Sequence, residues 1–81
     1  MREFHAAEVE ATFTPNGWPL PHSLRWEDEA LPVIELGRQW RAENRVHVLA
    51  LVSDGRVFEL VTDGSQWWAA LVSIPPSLRF I

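Results

Sequence analysis

Val9, Ala11 and Phe13 alternate with Glu8, Glu10, Thr12 and Thr14, and this period of two predicts a strand with one wet face. A stiff turn follows over residues 15–21, where three prolines remove amide donors and Asn16-Gly17 tolerates positive φ. A short second strand is predicted over residues 22–27, with Leu24 and Trp26 on one face. Glu27-Asp28-Glu29 forms a tight turn, and a third strand runs over residues 31–36. The stretch 37–44 is the least strand-like. Gln39, Arg41, Ala42 and Glu43 favour a helical turn or an irregular loop there, anchored by Trp40. In the second half, Asp54-Gly55 and Asp63-Gly64 separate three β-rich runs over residues 45–53, 56–62 and 65–72, which predicts a meander of two hairpins. Pro75-Pro76 ends the last strand and leaves residues 73–81 as a tail.

The register of this meander decides which side chains share a face. Two-residue loops at both Asp-Gly pairs place Leu51 opposite Phe58, Leu49 opposite Leu60, and Leu60 opposite Trp67. One face then carries Leu49, Leu51, Phe58, Leu60, Trp67, Ala69 and Leu71. The other carries Val46, Val48, Ala50, Val52, Val57, Val61, Trp68, Ala70 and Val72, interrupted by Glu59 and Gln66. A three-residue loop at 63–65 would exchange Trp67 and Trp68, so which of the two faces the core stays open. Either way both faces are apolar, whereas a sheet with one wet face alternates. The first three strands can cover one face. The second is expected to meet a partner, most simply another copy of the chain, through Val46, Val48, Val52, Val57, Val61 and Trp68. Leu78 and Phe80 of the apolar tail are further interface candidates. Wrapping of the chain's two ends over that face is the alternative.

At 81 residues the chain makes one domain, mainly β: a small curled antiparallel sheet or open barrel of five or six strands, Src-homology-3-like, with at most one short helical turn. The expected core is Trp26, Val33, Trp40, Leu49, Leu51, Phe58, Leu60 and one of Trp67 and Trp68. There is no cysteine, which removes disulfides and thiolate metal sites. No apolar run approaches a membrane span and no signal-like stretch opens the chain, so the expectation is a cytoplasmic protein with no membrane partner.

The net charge of −4 is concentrated in residues 1–44, and an acidic chain lacks the footprint of a general nucleic-acid binder. One local exception stands out. Arg38, Trp40, Arg41 and Arg45 interleave guanidinium groups with an indole, a pattern that can hold a phosphate and stack a base. His5, His22 and His47 match no metal spacing, and no nucleophile elbow or phosphate loop is present. The expectation is therefore no cofactor, no metal and no enzyme activity.

The spacing Leu24-x-Trp26, Leu31-x-Val33, Leu36 and Trp40 is specific. With the Gly17-Trp18-Pro19 turn, the run Asp54-Gly55-Arg56-Val57-Phe58-Glu59-Leu60, and Asp63 with Trp67 or Trp68, it resembles the uncharacterised bacterial domain-of-unknown-function family numbered 6504. The resemblance extends from about Val9 to Val72. Leu24 and Leu31 stand where that family has aromatics, and Asp28 where it has Gly. What the resemblance implies is a small bacterial β-rich domain. Some members are encoded near error-prone DNA polymerase genes, which hints at DNA repair. The expected function is a non-catalytic protein-interaction module, a homodimer or a subunit of a bacterial complex. The alternative is a nucleic-acid-binding accessory factor linked to DNA repair.

Overall fold

Six strands, each antiparallel to the next, close into a small Src-homology-3-like barrel in sequence order. The computed structural model describes residues 2–76. The strands are β1 (His5–Phe13), β2 (Pro19–Trp26), β3 (Glu29–Ala42), β4 (Arg45–Val52), β5 (Val57–Thr62) and β6 (Trp67–Ser73). Closure comes from the pairing of His5, Ala6 and Ala7 with Ala69, Trp68 and Trp67. No helix among the described residues is long and apolar enough to cross a membrane.

The alternation in β1 holds, with Ala7, Val9 and Ala11 half-buried between exposed neighbours. Phe13 is the departure, 48% exposed at the end of the strand. β2 begins three residues earlier than its pattern suggested and contains Pro19 and Pro21, both buried. Its ladder to β3 stops at Ser23–Pro32, so these prolines face no β3 partner and their missing N–H groups cost little. Side chains bridge the gap instead: Gln39 Nε2 donates to the Pro19 carbonyl at 3.3 Å, and Arg41 Nη2 to the Asn16 carbonyl at 3.4 Å.

No helical turn forms over residues 37–43. β3 runs on through them for 14 residues in all, with register shifts between Val33 and Glu35 and between Leu36 and Gln39. The second shift lies at Gly37-Arg38, the point at which the sequence pattern loses its period of two. A bulge puts two residues where the partner strand has one, so strict alternation breaks without the strand ending. Ser73 also belongs to a strand, opposite Val57, so the tail starts later than expected. Leu78 and Phe80 lie outside the described residues.

The largest change of register is in the first hairpin of the meander. Val52 N–H donates to the Arg56 carbonyl at 3.0 Å, and Gly55 N–H to the Val52 carbonyl at 2.9 Å. The loop is therefore Ser53-Asp54-Gly55, with positive φ (94°) at Gly55 but not at Asp54. This is the three-residue connection that ends in a left-handed glycine, where the sequence suggested a two-residue turn. Asp54 accepts the Arg56 backbone N–H at 3.0 Å and Arg56 Nε–H at 2.8 Å. Arg56 holds the Asp54 carboxyl below its usual range.

One added loop residue flips β4 relative to β5. Ala50 now faces Phe58 and Val48 faces Leu60, and all four are fully buried. Val48 and Val52, expected on an accessible face, are instead core residues at 0% exposure. Val46 shares their inward side, half-buried opposite Thr62. Leu49 and Leu51, expected in the core, move to the outer side and are half-buried.

The core is completed by Leu24 and Leu31, with Trp26, Val33 and Trp67 packed against it. The Trp26 ring meets the Phe58 ring edge-on at 4.9 Å. Of the two adjacent tryptophans, Trp67 is therefore the inward one. Trp40 leaves the expected core altogether.

Candidate functional site: the outer face of β3–β6

The strands that build the core with one side chain in two present the others outward. In β4 these are Arg45, His47, Leu49 and Leu51. In β5 they are Val57, Glu59 and Val61, and in β6 Trp68 and Ala70; of these Glu59, Val61 and Ala70 are buried. Of the expected interface residues, Val57 and Trp68 are half-buried on this face, whereas Val61 is on the same side but buried within the chain, 4% exposed. β3 contributes Glu35 opposite Leu51 and Trp40 opposite His47. The face is dominated by aliphatic and aromatic groups.

Its centre carries one carboxylate. Glu59 is only 5% exposed and is bracketed by two partners, Arg2 Nη1 on Oε1 and His47 Nδ1 on Oε2, the latter at 2.7 Å. A carboxylate can only accept, so His47 carries a proton on Nδ1. Arg2 precedes β1, and Glu59 pairs with Ala70, whose small side chain leaves room for the guanidinium to reach across β6. A buried charge is tolerated only when it is paired and hydrogen-bonded, and both conditions are met.

Around this centre the aromatic rings carry cations. The His47 imidazole stacks on the Trp40 indole, with centroids 5.1 Å apart and planes 14° from parallel. Arg38 lies 5.0 Å from the Trp40 ring centroid and Arg45 lies 4.6 Å from that of Trp68. Each is a cation–π contact that holds a long side chain flat on the sheet. Arg38 reaches this side because it sits in the bulge of β3, outside the regular alternation. Three of the four residues singled out for nucleic acid, Arg38, Trp40 and Arg45, thus share one face. Arg41 does not: it pairs opposite Val46 on the other side of the hairpin and lies 4.6 Å over the Trp18 ring.

Arg2, His47, Leu49 and Leu51 were missed as members of this face. For the three β4 residues the missing signal was the length of the 53–55 loop. For Arg2 it was the position of a residue 57 places from its partner, to which local pattern is blind.

Outside this face the chemistry is sparse. A shallow surface groove of about 460 Å³ is lined by Glu8, Glu10, Ser23 and Arg25, with a long 3.4 Å contact from Ser23 Oγ to Glu10. Thr12 Oγ1 and His22 Nε2 are 3.0 Å apart on the exposed surface. No group of three metal-ligating side chains forms among the described residues. Asp63 accepts the backbone N–H groups of Gln66 at 2.8 Å and Ser65 at 2.9 Å, which lowers its pKa and fixes the last hairpin turn. No family model, curated protein or solved structure matches the chain.

Proposed function

We propose that this protein is a non-catalytic interaction module that self-associates through the outer face of β3–β6. The observation that carries this reading is the chemistry of the face. Leu49, Leu51, Val57 and Trp68 point outward and stay half-buried, and the one central carboxylate is neutralised within the chain. A sheet face that meets water ordinarily alternates to polar side chains, and a contiguous apolar face favours burial against another surface. A second copy is the simplest occupant, since a two-fold axis needs one patch to complement itself. Membership of the bacterial family numbered 6504, a cytoplasmic location and a place as subunit of a larger bacterial complex belong to the same proposal.

Sedimentation equilibrium over the micromolar range tests it. The chain is expected to dimerise, and Leu49→Asp to return it to monomer. Phe13→Ser, which alters an exposed aromatic at the far end of β1, is expected to leave the dimer intact. A wild-type monomer at every concentration overturns the reading.

A second reading has one observation in its favour: Arg38, Trp40, Arg45 and Trp68 share a face with an imidazole stacked among them. It takes that face as a platform for single-stranded nucleic acid. The net charge of −4 opposes it. Binding of a single-stranded oligonucleotide by wild-type protein at about 50 mM salt, lost in Trp68→Ala and weakened steeply by added salt, would favour this reading over self-association.

A further inference from the structure

We propose that two copies stack these outer faces about a two-fold axis running across the strands, so that Glu35 of each copy meets Arg45 of the other. This rests on the self-association reading and adds its geometry. Glu35 pairs opposite Leu51 and Arg45 opposite Ala42, at opposite ends of the β3–β4 ladder. Both are on the outer side. Leu51 alternates with the buried Ala50 and Val52, and the Arg45 guanidinium lies over Trp68, whose neighbours Trp67 and Ala69 face the core. Both residues are exposed, and neither has an ion-pair partner among the described residues.

The positions of the two charges select the axis. A two-fold across the strands lays β3 of one copy antiparallel to β3 of the other and turns each face end for end. The acidic end of one ladder then lies on the basic end of its partner, and symmetry forms the contact twice. A two-fold along the strands would instead keep Glu35 level with Glu35 and Arg45 level with Arg45, so neither charge would meet its opposite. Leu49 and Val57, both half-buried, lie between the charged ends and supply the apolar contact. Arg38 falls near the middle of the ladder, where its guanidinium is folded over its own Trp40.

Charge reversal tests the geometry separately from the association. Glu35→Arg and Arg45→Glu are each expected to raise the dimer dissociation constant about tenfold at low salt, since each converts two attractive contacts into two repulsive ones. The double variant Glu35→Arg/Arg45→Glu is expected to return to within about threefold of wild type. The milder pair Glu35→Gln and Arg45→Gln should show smaller losses in the same direction, and all of these losses should shrink as salt is raised. A wild-type dimer whose two single reversals are neutral, or add rather than cancel in the double variant, overturns the two-fold arrangement and leaves self-association standing. A monomeric wild-type chain overturns both.

Discussion

Leu49 and Leu60 carry the same side chain on neighbouring strands and meet opposite surroundings. Leu60 is fully buried between Val48 and Ala69, whereas Leu49 faces outward and is half-buried. Truncating a buried leucine costs both its transfer free energy and a cavity, about 2–5 kcal/mol. Leu60→Ala should therefore lower stability in urea by about 2–5 kcal/mol, and Leu49→Ala by roughly half of that or less in dilute, monomeric protein. Equal losses would mean that the β4 register is wrong. The period of two in both strands was legible from the residues alone. The side of the sheet was not, because it depends on whether Ser53 counts as strand or as loop, and a serine suits either. Glu59 shows the same limit. Its place on the face with Val57 and Val61 was legible, but its neutralisation by Arg2 depends on how the chain ahead of β1 crosses β6.

The turns show which local rules the strands obey. Both Asp-Gly pairs signalled hairpins correctly, yet neither makes a two-residue turn with positive φ at both centres. Gly55 and Gly64 take positive φ, while Asp54 and Asp63 use their carboxylates to accept nearby backbone N–H groups. The turns that do have two left-handed centres contain no glycine: Glu27-Asp28, with φ of 49° and 65°, and Glu43-Asn44, with φ of 52° and 63°. A glutamate in that region carries a steric cost that asparagine and glycine reduce. Replacing Glu27-Asp28 by Asn-Gly should stabilise the β2–β3 hairpin by about 1 kcal/mol, a rise in melting temperature of about 4–8 °C for a domain of this size. No rise would argue that this turn is not of the left-handed type. The same reasoning explains the missed length of β3. Residues 37–42 have ordinary helix propensity, but the ladder from Gln39–Val48 to Ala42–Arg45 and the stack of Trp40 on His47 hold them extended.

At the scale of the molecule, one small barrel has a closed apolar core and a second apolar side that its own chain covers in part, burying Glu59, Val61 and Ala70. Eight buried hydrophobic residues form its inner core; on the outer side Val61 and Ala70 are also buried, while Trp68, Leu49 and Val57 are half-buried. The tryptophans divide accordingly. Trp26 and Trp67 pack against the core, Trp18 stacks with Arg41 near the first turn, and Trp40 and Trp68 furnish the outer face. The existence of a second apolar surface was legible from the absence of alternation. Its membership needed the barrel, since β4 contributes the opposite set of residues from the one its turn suggested. Hydroxyl-radical labelling across a dilution series, from about 300 µM to about 1 µM, measures that surface directly. Self-association predicts that Trp68, Trp40 and Leu49 are protected at high concentration and become labelled on dilution, while Trp18 and Trp26 do not change. Labelling of Trp68, Trp40 and Leu49 that is the same at every concentration would contradict it.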